Sequence, residues 1–431
     1  GYAAGVNVTT GIHNTLLGGL AGDAITTGDS NTFLGKGAGS STTTSDRNTA
    51  VGRDALFTNT TGQQNVAIGT AAMYYCATGN YNVAVGTNAL DALTTAENNT
   101  AVGQEAGNDV TTGSANTLAG AGAGSKITTA GKNTMFGYNA GTGITTGGDN
   151  TFVGADVGVN VTTGNANILV GGSESGVVGG TGEALTTGAR NVMMGTAAGK
   201  AATTIDDCVL IGYEAGGGAT MTGHDNTFVG RRAGKATTSG QKNTALGSLC
   251  ADNLTTGQNG TYIGYDINAS AVGVDHEIGI GSNITAAGTN TVRIGTTNGY
   301  AQLDLDGSDT SWAAGSDERL KKDIASSTAG LSFINDLRPV TFKWNAKNAI
   351  SDSLPQYDAS SDKPIWANSN DIHGFVAQEV KAVIDNHSEI KAGQGIWSED
   401  PEGTQHIAYG AMMPMMVKAV QELSTKLDAA L

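Results

Sequence analysis

Asparagine recurs every 17 residues along most of the chain, at Asn14, Asn31, Asn48, Asn65, Asn82, Asn99, Asn116, Asn133, Asn150 and Asn167. With Asn as position 1, the repeat reads N-T-x-(V/I/L)-G-x-x-A-G-x-x-(I/V)-T-T-G-x-x. Gly, Thr and Asn at fixed places are poor helix formers. A short fixed period predicts a solenoid instead, one turn per repeat. Two short strands per turn are expected, at N-T-x-V-G and at x-I-T-T-G, with glycine corners between them. Position 4 is almost always Leu, Val or Ile (Leu17, Leu34, Val51, Ile68, Val85, Val102), and its uniformity makes it the expected interior residue. Position 3 varies between small and large (Leu16, Phe33, Ala50, Ala67, Phe152) and must face the other way, since strand side chains alternate. The Asn column reads equally well as a coil-to-coil hydrogen-bond ladder or as a requirement of turn geometry.

Apolar residues on both faces of a thin coil imply that both are covered. Several chains side by side, most simply three, would do this. At about 4.8 Å per strand, some sixteen coils give a shaft of roughly 75–80 Å. One longer coil runs from Asn167 to Asn191, with its extra residues inside Gly171 to Leu185. The beat resumes with Cys208, Asn226, Asn243 and Gly260, then fades near Asn290. Proline is absent from the array, as central strands require.

All five prolines and all four tryptophans lie at or beyond Trp312. We therefore divide the chain into a repetitive shaft (1–301), a neck holding a strand and a small-residue linker (302–315), and a mixed tail (316–431). The fold class is mostly β, a trimeric β-solenoid or β-roll followed by a small α+β domain. In the tail, Met413, Met416, Val420, Leu423 and Leu427 fall three and four apart, the apolar seam of a helix. Pro414 marks where that helix begins. The seam packs either on its own domain or in a bundle with two partners. Residues 348–371, with Pro355, Pro364 and Trp366, read as a protruding loop or hairpin.

Charge narrows the possible partners. A net charge of −16 argues against unassisted binding to nucleic acid or anionic membranes. No run approaches the roughly 18 apolar residues of a membrane span. Cys76, Cys208 and Cys250 are too scattered for a disulfide framework and read as small buried apolar residues. The six histidines show no metal-ligand spacing, and no phosphate loop is present, so no metal or cofactor is expected. Asp206, Asp207, Glu214 and Asp225 form the one acidic cluster in the shaft to weigh for glycoside hydrolysis, and loop charges are their simpler reading.

The remaining chemistry sits at Ser316–Ile324, SDERLKKDI. Taken alone, Ser316 reads as a helix N-cap followed by Asp317 and Glu318 in the first turn. Together with LSFINDLRPVTFKW, HGFVAQEV and YGAMMPMMVKAVQELSTKL, however, the segment resembles the peptidase S74 family, the C-terminal intramolecular chaperones of phage tailspikes and fibres. The shaft phrases NVAIG, NVAVG and NTAVG resemble both the head repeats of trimeric autotransporter adhesins, a left-handed β-roll, and the arrays of phage tail fibres.

The S74 resemblance implies a serine–lysine dyad at Ser316 and Lys321, supported by Asp317 and Arg319, that cuts its own chain once at Gly315–Ser316. It also implies a homotrimer whose tail helices bundle at Met413, Met416, Val420, Leu423 and Leu427, with arms that embrace the shaft. His373 lies in a family block and is expected to be structural. The function expected is a host-attachment segment of a tail fibre in a virion, contacting a glycan or outer-surface protein of the host. The alternatives are a bacterial surface adhesin using the same chaperone and a polysaccharide-degrading tailspike.

Overall fold

In the computed structural model, the structure describes residues 1–172, 179–305, 313–314, 318, 322–352, 357–365, 371–390, 395–400 and 403–431. The chain divides into two compact units, Gly1–Gly315 and Ser316–Leu431. The first is a β-solenoid of about sixteen turns with a 17-residue repeat. The second is a small α+β unit ending in a helix.

Each regular coil contributes one three-residue strand at positions 2–4, from β1 (Thr15–Leu17) through β14 (Thr244–Leu246). The strands pair in parallel, position for position, so Leu17 lies beside Leu34 and Leu34 beside Val51. Pairing passes through the long coil without slipping, with β10 (Ile168–Val170) beside β11 (Val192–Met194). The second expected strand, x-I-T-T-G, is not one. Coils do bond there, as where Thr26 N–H and Oγ1 both donate to the Thr43 carbonyl (2.9 and 3.2 Å). The left-handed turn residue at position 17 (φ near +59° at His13, Ser30 and Arg47) then bends the chain before a ladder can lengthen.

The assignment of inside and outside is the reverse of the expectation. Position 3 is the interior column: Phe33, Ala50, Leu118, Phe152 and Phe228 are all 0% exposed. Position 4 faces outward, with Leu17 60%, Val102 44% and Leu246 47% exposed. The size variation at position 3 has a local cause. Where it is Ala50, Ala67 or Ala84, position 9 is Leu56, Met73 or Leu90, and these fill the core. Where it is Phe33, Phe152 or Phe228, position 9 is glycine, and a Cβ added at Gly39 would lie 2.3 Å from the Phe33 ring. Leu56, Met73 and Leu90 hold this site at φ between 52° and 53°, a strained conformation for a side chain of that size. The core they fill offsets that cost.

Three further columns complete the interior. Alanine fills position 8 (Ala21, Ala38, Ala55), and Ile25, Leu93, Ile127 or Leu254 fills position 12. Asparagine at position 1 is fully buried from Asn31 onward and forms a ladder. The Asn116 side chain donates to Asn99 Oδ1 (3.0 Å) and to the Ala130 carbonyl (3.0 Å), while its own Oδ1 accepts the Asn133 N–H (3.0 Å). Every polar atom of this buried amide is therefore used, which burial demands. Cys76, Cys208 and Cys250 sit in three different interior columns, and burial pushes the Cys76 thiol up to about 12. At position 5 the glycine corner is obligatory. A Cβ on Gly103 (φ +138°) would stand 2.5 Å from the Gly120 carbonyl oxygen of the next coil.

The repeat ends by substitution within the Asn column. Gly260 leaves a gap that the Tyr262 ring fills, and the Tyr262 hydroxyl donates to Glu277 (3.2 Å), which occupies the next asparagine place. The buried Glu277 carboxylate also accepts the backbone N–H groups of Ser270 (3.1 Å) and Gly288 (2.6 Å). Strands then lengthen to β15 (Thr261–Asn268) and β16 (Ile278–Thr285). The sheet closes with β17 (Thr291–Thr296), then antiparallel β18 (Gly299–Asp304) and β19 (Ala313–Ala314).

The second unit holds α1 (Leu331–Asp336), an antiparallel pair β20 (Val340–Phe342) and β21 (Ile372–Gly374), α2 (Ala377–Asn386), a second pair β22 (Trp397–Glu399) and β23 (Gln405–Ile407), and α3 (Met413–Asp428). Its core is small: Phe333 and Leu337 of α1 and the turn after it, Val380 and Ile384 of α2, with Ile390, Ile396 and Met412. Between β20 and β21 the chain closes on itself as a hairpin, where Lys347 N–H donates to the Lys363 carbonyl (2.9 Å) and Ile365 N–H to that of Asn345 (3.0 Å). Pro355 and Trp366 lie outside the described residues.

Candidate functional site

The proposed cutting residues Gly315, Ser316, Asp317, Arg319 and Lys321 lie outside the described residues. Beside them, Lys322 is exposed to solvent. What the structure defines is the unit that follows.

Helix α3 carries two apolar faces. One, formed by Met415 and Ala419 with Met412 just before the helix, packs toward α1, and Glu422 extends it by accepting the Leu331 N–H that opens α1 (2.9 Å). This bond satisfies one of the orphan donors of a helix start. The other face is the seam predicted from spacing. Met413 is 58% exposed, Val420 66% and Leu427 60%, with Met416 and Leu423 similarly open. The unit's own packing therefore uses a different set of residues from the seam. Pro414 stands in the first turn of α3, where its missing N–H costs nothing.

At the head of the seam lies an open apolar cavity of about 470 Å³, lined by Leu337, Phe375, Tyr409, Met412, Met413 and Met416 among others. Met413 and Met416 belong to both cavity and seam, so the two form one continuous apolar surface. Seam residues at spacings of three and four, uncovered over four turns, match the pattern that bundled helices bury.

Two polar clamps hold the unit together. Arg338, just beyond α1, makes a two-pronged contact with Glu379 of α2, and this hydrogen bond holds the Glu379 carboxyl below its ordinary range. His387, at the C-terminal end of α2, is nearly buried and stands edge-on to Phe333. Its Nδ1 meets Glu389 (2.8 Å) and its Nε2 meets Asp336 (2.8 Å). A ring with a carboxylate on each nitrogen is stabilised as the imidazolium, and hydrogen bonding to Glu389, then Asp336, raises its pKa above 6.5. Sequence reasoning missed this residue because Asp336 is 51 positions away and neither partner has diagnostic spacing. His373 contacts Thr341 across the β20–β21 pair (3.3 Å).

Three of the four acids in the shaft cluster, Asp206, Asp207 and Glu214, are engaged with basic neighbours. Asp207 pairs with Arg190 through two 2.7 Å hydrogen bonds, Asp206 lies 3.5 Å from His224, and Glu214 accepts from Lys235 (2.7 Å). These contacts join one coil to the next, the role of turn charges. No helix among the described residues is long and apolar enough to cross a membrane.

Residues 316–389 match the family model Peptidase_S74, described as the chaperone of endosialidase. The match begins at Ser316 and includes α1, the β20–β21 pair and α2. That family marks the segment as a self-cleaving chaperone domain. Placed after a β-solenoid, it fits a protein of the phage tail-fibre or tailspike type. No curated protein and no solved structure matches the chain.

Proposed function

We propose that this chain is a host-attachment segment of a homotrimeric phage tail fibre, whose C-terminal domain aligns three chains, guides their folding and then cuts itself free at Gly315–Ser316. The observation that carries this reading is the open seam of α3, a heptad-like apolar face in a unit that matches an intramolecular chaperone.

The physical need is plain. Each coil resembles its neighbours, so three shafts can pair one repeat out of step at little cost. A tail that associates first joins the chains at one end and raises their local concentration, and register propagates from there. In the cut, Lys321 takes the proton from the Ser316 hydroxyl, which attacks the Gly315 carbonyl carbon. The C–N bond breaks, the freed amine takes up a proton, and a Gly315 ester on Ser316 Oγ results. Water then hydrolyses this ester, giving a Gly315 carboxylate and restoring the hydroxyl. A lysine serves as base only with a lowered pKa, which burial on assembly and the neighbouring Arg319 and Lys322 would provide. Gly315 presents no side chain to obstruct the attack.

The test is a denaturing gel with a native mass measurement. The wild-type chain is expected as two fragments, and Ser316→Ala and Lys321→Ala as full-length chains that still weigh three copies. A Ser316→Ala protein that is still cut refutes the dyad, and a native mass of one chain refutes the trimer.

A further inference from the structure

The parallel register of the shaft aligns position 4 of every coil in one column, from Leu17 at one end to Ile294 at the other. Every rung is apolar, none carries a charge, and the side chains point away from the core. Many of the large ones are open, with Leu34 42% exposed, Phe136 45% and Leu246 47%, while Ile211, Ile263 and Ile280 are half-buried. Position 2, on the same strand face, is threonine in most coils and Val66, Val83, Ile168, Val192 or Val209 in the others, and position 14 is mostly threonine.

At about 4.8 Å per rung the strip is some 75–80 Å long. With a width of roughly 8–10 Å it offers on the order of 700 Å², above the ~300–600 Å² of the largest patch on a typical monomer and close to the ~800 Å² that each side gives a standard interface. The interior needs none of this surface, because position 3 and its position 9 partner already close the core within one chain. We infer that the position 4 column is the lateral docking surface of the shaft and that its occupant is a second copy of this chain, parallel and at the same height.

Geometry selects that occupant. A strip one side chain wide and many coils long fits a rod, and only a rod with the same rise keeps an apolar group opposite every rung. A copy of this shaft has that rise by construction. Charge does not oppose it: in a chain of net charge −16 this column carries no charged residue, so two copies can approach along it without repulsion between rungs. The inference rests on the homotrimer proposed above, and it assigns the shaft a contact separate from the helix seam.

The experiment is disulfide trapping in the full-length chain. Cys76, Cys208 and Cys250 are fully buried, so a new surface thiol reports alone. Val102→Cys, on the strip, is expected to give covalent dimers on a non-reducing denaturing gel after mild oxidation. Thr112→Cys, exposed but off the strip, is expected to stay unlinked. A protein whose native mass is three chains but whose Val102→Cys form links no better than Thr112→Cys overturns this inference and leaves the trimer standing. A native mass of one chain overturns both.

Discussion

The solenoid and the tail unit solve the same problem of burying apolar surface with opposite means. In the solenoid each interior residue meets its counterpart 17 positions away, the Asn ladder satisfies its own polar atoms, and one continuous core runs through the stack. Among its described residues the tail unit has two two-stranded pairs, a core of a few residues and a helix whose longer apolar face is open. Two-stranded pairs are marginal by themselves. A repeat makes a core cheaply but leaves its register ambiguous; the irregular tail unit has a unique arrangement but covers little of its own apolar surface.

The contrast is broken most severely at the glycine corner. Gly103→Val places a Cβ against the Gly120 carbonyl at a left-handed φ, with a backbone atom that cannot yield. A loss of several kcal/mol is expected from clash and strain together, read as a sharp drop in the denaturant midpoint of the shaft. A Gly103→Val shaft as stable as wild type shows that coil spacing is soft.

Next comes the compensation between positions 3 and 9. Phe152→Ala is expected to cost about 3–5 kcal/mol. Adding Gly158→Leu recreates the pair that Ala84 and Leu90 already form, and is expected to restore more than half of that loss despite the left-handed backbone. A double variant no better than Phe152→Ala breaks the compensation rule.

The smallest effect sharpens the other side of the comparison. The folded pKa of His387 lies above its ordinary 6.5, so its contribution is fully present below about 6.5 and is lost as pH rises through the folded value. The Glu389 carboxyl is held low by His387, so its part persists above about 4.5 and fails only as pH falls through its folded value. The tail unit is therefore expected to melt a few degrees higher near pH 5.5 than near pH 8, and His387→Gln to remove that difference. Thermal melts that keep the same pH dependence in His387→Gln remove the clamp from the account.

Much of this was legible in the residues. The 17-residue spacing marks the coil, its long member and its end, and the spacing of Met413, Val420 and Leu427 marks the seam. The Asn column read two ways, and the structure shows the ladder at work. The inside–outside reversal at positions 3 and 4 arose because alternation says only that two neighbours face apart. Uniformity at position 4 resembles a core requirement, whereas the core tolerates variation at position 3 because position 9 absorbs it or, at Ala101 with Gly107, because Leu90 and Leu118 of the adjacent coils fill the space. Thr and Ile favour a second strand, but a left-handed corner four or five residues later stops the ladder.

Spacing within the chain was enough for the repeat, the family segment from Ser316 and the helix seam, because each is written within one coil or along one short stretch of chain. Packing settled which strand face closes the core, how Tyr262 and Glu277 terminate the Asn column, and that Asp336 and Glu389 bracket His387. Those outcomes depend on atoms brought together across coils and elements, and no local period records which of two apolar faces the fold will turn inward.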